Sequence, residues 1–248
     1  VLYLAAAAVG HIGTVHSDAV ELSNLHRQIL HTTAAVGKSK AESASETIAR
    51  LNPEVRVSVF AERLDGSSAS ARIAPFDIVV DGSDNYSTRY AVNDTCAALG
   101  KPWIYGSVER YSGQVSTFTA PDGPCYRCIF ADPPPPDSTA SCEEIGVLGA
   151  VPGVIGSLQA VEALKMLTGI GQPLRGRLLQ LDLKSGQQRT IAFEKRADCA
   201  ACGARPAKRP AAPRPVSIAD VQPAELAEML RGTDAPALLD VREHWEWN

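Results

Sequence analysis

The chain has 248 residues, enough for one large domain or one and a half smaller ones. A formal net charge of -4 gives no support for nucleic-acid binding, which a basic surplus would signal. No run of about 18 apolar residues occurs, so no membrane span is expected, and the 45% hydrophobic share suits an ordinary globular core.

In chain order, the opening VLYLAAAAVG lacks the basic segment and initiating Met of a signal peptide and reads as the end of a helix in a chain cut at its N-terminus. Residues 11–15 read as a strand. Lys38 to Leu51 carries Ala41, Ala44, Ile48 and Leu51 at helical spacing, and Asn52-Pro53 stops it. Val55, Val57 and Val59 alternate as in a strand. Phe76 to Val80 is a short apolar run, the pattern of a buried parallel strand, with Asp81-Gly82-Ser83-Asp84-Asn85 at its end and a helix from about Ser87 to Leu99. Pro102 to Tyr105 forms the next strand. This alternation predicts an α/β, doubly wound, Rossmann-like and mostly parallel sheet.

The second half differs. Gly113 to Thr119 alternates as a strand, Pro124 to Cys142 is loop-rich, and Val154 to Leu167 has helical spacing. Leu178–Leu183 and Arg189–Phe193 flank Lys184-Ser185-Gly186, a hairpin signal. Antiparallel strands therefore extend the first sheet. ARPAKRPAAPRP (204–215) reads as a semi-stiff linker. Residues 216–248 resume globular character, with a helix near Pro223–Arg231 and a strand Ala237–Val241, but are too few for a core of their own.

In an open parallel sheet, ligands bind beyond the carboxyl ends of the strands. There the first loop offers Asn24, Arg27 and Gln28, the following helix brings Lys40 in its first turn, and the third loop supplies Asp81 and Asp84. Cations for phosphates and an acid for a metal are what an ATP–magnesium site needs. Two C-x-x-C pairs, Cys125/Cys128 and Cys199/Cys202, can give four thiolates to a closed, structural zinc. Cys142 follows the proline-rich loop; it is either a nucleophile or an ordinary thiol at a helix approach, and Glu143 and Glu144 beside it raise its proton affinity. Gly10 and Gly13 do not form the G-x-G-x-x-G of a nicotinamide-dependent oxidoreductase.

SNLHRQ (Ser23–Gln28), VGKSKAESA (Val36–Ala44), LNP (Leu51–Pro53), DGSDNYSTR (Asp81–Arg89), CYRC, IGSLQAVEALKMLTG (Ile155–Gly169) and CAAC together resemble the MoeB/ThiF family, bacterial relatives of ubiquitin-activating enzymes. The resemblance covers residues 1–203. PALLDVREHWEW (Pro236–Trp247) is similar to the opening of a rhodanese-like domain.

The resemblance implies Mg-ATP-dependent adenylation of the C-terminal Gly-Gly carboxylate of a ubiquitin-like sulfur carrier of MoaD or ThiS type. A thiocarboxylate then forms with sulfur from a donor such as a cysteine desulfurase or rhodanese domain, in molybdopterin or related biosynthesis. It implies a cytoplasmic homodimer. By motif, Asn24, Arg27 and Lys40 hold phosphates, Asp84 binds magnesium, and Ser23, Gln28 and Asn85 complete the nucleotide site. The loop 131–142, with Cys142, matches a crossover segment over the carrier's tail. The family's strand ends in an acid that grips the ribose; here His16 stands in that place, while the second acid, Asp18, remains. The family's glycine-rich loop and the N-terminal arginine that a neighbouring subunit donates are expected to precede this segment. The other reading is a catalytically incomplete, zinc-stabilised module that binds the carrier without adenylating it.

Overall fold

The computed structural model describes residues 1–134 and 146–203. The chain divides into a unit Val1–Ala207 and a unit Lys208–Asn248, and every described residue belongs to the first. Cys142, the linker 204–215 and the rhodanese-like segment 216–248 lie outside the described residues.

A short helix α1 (Leu2–Ala6) leads into β1 (His11–Val15), which pairs in parallel with β2 (Arg56–Phe60). Between them runs α2 (Lys40–Leu51), capped by the Ser39 side chain, which accepts from the Glu42 N–H. Ala41, Ala44 and Ile48 form its buried stripe, whereas Leu51 is exposed at its end. After α3 (Ala69–Ile73), β3 (Val79–Asp81) pairs in parallel with β4 (Trp103–Glu109), the two joined by α4 (Tyr86–Leu99). β5 (Ser112–Phe118), β6 (Arg177–Asp182) and β7 (Gln187–Ala192) follow antiparallel, and α5 (Ala150–Thr168) lies between β5 and β6 in sequence. The architecture is α/β with a two-stranded and a five-stranded sheet.

The side-chain alternation of β4 and β5 sorts the core into two faces. Trp103, Tyr105 and Phe118 join Tyr90 and Tyr126 in an aromatic cluster beside α3 and α4. Ile104 points the other way, toward α1, α2 and α5 with Ile12, Ile48, Ala160 and Ala163, and Val115 meets Val151 and Ile155 of α5. Burying one such large side chain contributes about 1.5–3 kcal/mol. Two glycines let α5 approach the sheet: a Cβ on Gly106 would lie 2.4 Å from the Gln159 side chain, and one on Gly113 as close to Ile155.

α5 is, among the described residues, the helix long and apolar enough to cross a membrane by length and composition. It nevertheless packs on β3, β4 and β5 and buries Gln159 and Glu162 with protein partners, which marks it as a core helix.

The apolar run Phe76–Val80 yields a shorter strand than its pattern implies. Phe76 leaves the ladder and lays its ring over Gly13, where a Cβ would meet it at 2.4 Å. β4 in turn runs past Tyr105 to Glu109, because pairing with β5 carries it from Trp103–Phe118 to Glu109–Ser112.

Candidate functional site: a cation–carboxylate cluster beyond the strand ends

Beyond β1 the chain doubles back on the start of α2. Val20 N–H donates to Lys38 O and Gly37 N–H to Val20 O, both at 2.8 Å, and Lys40 N–H donates to Asp18 O at 2.9 Å. This main-chain zipper sets the Lys40 ammonium 3.8 Å from the Asp18 carboxylate. The Lys40 side chain is only 8% exposed, while Asp18 is 61% exposed. A lysine in the first turn opposes the helix dipole, and burial adds a desolvation cost. Both costs are offset when an anion meets the ammonium.

His16 stands beside this pair. Its Nδ1 accepts the Asp18 main-chain N–H at 3.1 Å, which leaves the proton of the neutral ring on Nε2. Burial, and next the Lys40 charge, push its pKa below the usual histidine value, against the opposing pull of Asp18 and Asp84. His31, whose Nδ1 pairs with Ser43 Oγ at 2.9 Å, is lowered by burial and then by Lys40 and His16. His16, Asp18, His31, Lys40 and Asp84 therefore share one electrostatic neighbourhood. Asp84 is exposed on the turn after β3.

The first loop folds into a short 3-10 turn at Leu22–Asn24. Arg27 Nη1 donates to Ser23 O at 3.1 Å and meets His26 Nε2 at 2.9 Å. Ser23 Oγ bonds Glu21. Asn24 is buried, and its Oδ1 and the Gln28 Oε1 are buried acceptors without a partner. The start of α5 braces this loop, since a Cβ on Gly149 would sit 2.0 Å from the His26 carbonyl oxygen. Asn85 caps α4 through Oδ1, accepting Thr88 N–H at 2.9 Å, so its side chain is committed to the helix.

The four expected zinc ligands do converge. Cys125, Cys128, Cys199 and Cys202 are all buried, with their sulfurs within 4.8 Å of one another. Separations of 3.5 Å (Cys125–Cys199), 3.4 Å (Cys128–Cys202) and 4.0 Å (Cys125–Cys128) are far too long for disulfides. They match the edges of about 3.8 Å that a tetrahedron with Zn–S near 2.3 Å requires. Arg196 N–H donates to Cys128 Sγ at 3.5 Å, a contact suited to a thiolate. Burial raises the proton affinity of the Cys125 thiol, whereas at Cys199, against the effect of burial, hydrogen bonds from the Cys202 and Ala201 main chain lower it.

α4 holds the first half of this knuckle: Asn93 Oδ1 accepts Tyr126 N–H at 2.8 Å, and Asp94 takes both Nε and Nη2 of Arg127 at 2.7 and 2.8 Å. Arg127 also lies over the Tyr90 ring at 4.5 Å. Asn93 and Asp94, with Gln159 and Glu162, escape sequence reasoning; the available signal was polar residues on otherwise apolar helical faces of α4 and α5, and His31, in the first loop, carries no such signal.

An α/β domain with a four-cysteine knuckle and a buried lysine among carboxylates beyond its strand ends has the layout of an anion-handling domain. The chain belongs to the ThiF family, whose model matches residues 1–201. It is 48% identical over 212 residues to "Sulfur carrier protein adenylyltransferase" of Thermus thermophilus, covering 84% of this chain and 78% of that protein. It is 46% identical over 206 residues to "Adenylyltransferase and sulfurtransferase MOCS3" of Culex quinquefasciatus, covering 83% of this chain but 47% of that protein, about half its length. Among solved structures, E. coli MccB with ATP superposes with a TM-score of 0.71 at 20% identity, over 81% of this chain and 62% of that one, a likeness of fold.

Proposed function

We propose that this chain, an adenylyltransferase by family, adenylates the C-terminal Gly-Gly carboxylate of a ubiquitin-like sulfur carrier of MoaD or ThiS type, using Mg-ATP. The carrying observation is the buried Lys40 at the start of α2, zipped to Asp18 and sharing its neighbourhood with Asp84. In the reaction a carboxylate oxygen of the carrier attacks the α-phosphorus, the bond to the bridging oxygen breaks, and pyrophosphate leaves with the electron pair. The nucleophile is already an anion, so no general base is needed; positioning and charge neutralisation supply the rate. Lys40 and Arg27 meet phosphate oxygens, Asn24, Ser23 and Gln28 line the nucleotide, and Asn85 fixes the turn bearing Asp84. Magnesium supplies charge neutralisation at the phosphates, and Asp84, an exposed hard oxygen donor, is its ligand. Zinc is structural, because four thiolates close its shell.

The names of the relatives support a sulfur carrier as partner, and the donor proposed is a sulfurtransferase such as a cysteine desulfurase or a rhodanese domain. The pathway proposed is molybdopterin or a related sulfur-transfer biosynthesis, with Cys142 a candidate in the transfer step. A homodimer is supported by exposed Leu22 and Ile29 on the first loop, Leu148 just before α5, and Val154 and Val161 along α5. The four thiols suit a reducing compartment, the cytoplasm. The second reading, a carrier-binding module without adenylation, is favoured by His16 alone. Carrier-dependent ATP–pyrophosphate exchange decides between them: exchange that requires a Gly-Gly terminus supports the enzyme, and its absence with the full-length gene product supports the module.

A further inference from the structure

Four buried polar atoms without a hydrogen-bond partner belong to residues that meet behind the turn after β3: Asp81 Oδ2, Ser83 Oγ, Arg89 Nε and Trp103 Nε1. Asp81 closes β3, opposite Tyr105 of β4, and Arg89 reaches back from α4. Both charged residues are buried, Asp81 at 5% and Arg89 at 7% exposure. Burial raises the proton affinity of Asp81, while Ser83, Arg89 and Trp103 oppose that shift. The guanidinium also lies 5.5 and 5.6 Å from the Tyr86 and Tyr105 ring centres.

Their hydrogen bonds go to the main chain of the turn. Asp81 Oδ1 accepts Ser83 N–H at 2.7 Å, and Arg89 Nη2 donates to Ser83 O at 2.9 Å. Gln159 of α5 donates to Asp81 O at 2.6 Å and to Ile104 O at 3.1 Å. On the far side, Asn85 Oδ1 accepts from Thr88 N–H and Ser87 Oγ. Side chains thus hold the backbone at Ser83, just before Asp84, and cap the helix that starts after it, while Asp84 itself is exposed and acts on the charge of His16.

We propose that Asp81 and Arg89 are positioning residues, two buried side chains that together fix the Gly82–Asp84 turn so that the Asp84 carboxylate is held for a divalent cation on the nucleotide. Together they clamp one residue across two successive peptides, Asp81 taking the Ser83 N–H and Arg89 the Ser83 C=O. This rests on the reading of Asp84 as the metal carboxylate.

The experiment uses the full chain with Mn2+ and α,β-methylene-ATP, reading bound Mn2+ by electron paramagnetic resonance, beside carrier-dependent ATP–pyrophosphate exchange and thermal melting. Arg89→Met and Asp81→Leu each remove one side of the clamp on Ser83 and lower the melting temperature, and the double variant removes both sides. All three, and Arg89→Lys with near-native melting, weaken Mn2+ binding about tenfold or more, as a displaced ligand should. Native Mn2+ binding in Arg89→Lys, or in a folded double variant, overturns the proposal. Wild-type Mn2+–nucleotide binding without exchange removes the adenylation reading and leaves this inference standing. Absence of Mn2+–nucleotide binding in the wild type removes both.

Discussion

Lys40 is tied to Asp18 twice, once by its main-chain N–H at 2.9 Å and once by its ammonium at 3.8 Å from the carboxylate. The first contact belongs to the fold and sets the register between loop and helix. The second holds a cation whose natural counter-charge is mostly in solvent, so the ammonium stays available to a phosphate.

Lys40→Ala therefore abolishes adenylate formation, with exchange falling at least about a hundredfold, the scale of losing one preorganised charge on a transition state. Asp84→Ala acts in the same direction. Both retain zinc, since neither touches the knuckle, and both melt within a few degrees of wild type because Asp18 and Asp84 are exposed. Near-native exchange in either variant, with metal content measured in parallel, counts against the site assignment.

The His16 ring spends its Nδ1 on the Asp18 N–H, so its remaining nitrogen donates and no acceptor is left for two ribose hydroxyls. His16→Asp is expected to tighten ATP about tenfold, the worth of a charge-assisted hydrogen bond of about 1.5 kcal/mol. It should also create discrimination against 2′-deoxy-ATP that the wild type lacks. Isothermal titration with both nucleotides tests this; equal affinities before and after the change would place His16 away from the ribose.

Stability depends on pH through the same ring. The pKa of His16 and of His31 is depressed in the fold, each chiefly by burial. The unfolded chain therefore binds more protons, and stability present above the ordinary histidine value of about 6.5 is lost as pH falls through it toward the lowered values. The urea midpoint should drop between pH 7.5 and pH 5.5 (roughly the histidine range). His16→Asn combined with His31→Gln should flatten that drop; an unchanged slope refutes it.

Cys199→Ser opens the four-sulfur shell. Metal loss measured by elemental analysis should accompany destabilisation of roughly 3 kcal/mol, about 6–12 °C in a domain of this size. Wild-type protein free of zinc would falsify the structural role.

The sequence was most informative where its periodicity and its chemistry agreed. The α2 stripe of Ala41, Ala44 and Ile48 is buried as its spacing requires, and the paired cysteines meet although their pairs lie far apart in the chain. The β4–β5 hairpin escaped notice because its turn, Arg110-Tyr111, carries no Gly or Asn; Arg110 takes the positive φ of 51° itself. α3 was equally invisible, since five residues, Ala69–Ile73, are too few for a period to declare itself. In the site, loop residues that bear chemistry could be named, but their supports could not. Gln159 reaches Asp81 across 78 positions of chain, a contact that only tertiary packing creates.

Helix α4 begins at the turn carrying Asp84 and, through Asn93 and Asp94, grips the peptide between Cys125 and Cys128. From Tyr86 to Asn93 the helix makes a strut about 10 Å long. Chelation at one end should thus be felt at the other as a slower chemical step with nucleotide affinity largely kept, because the loop of Asn24 and Arg27 hangs from different elements. A metal that never meets the substrate would then set the enzyme's tempo.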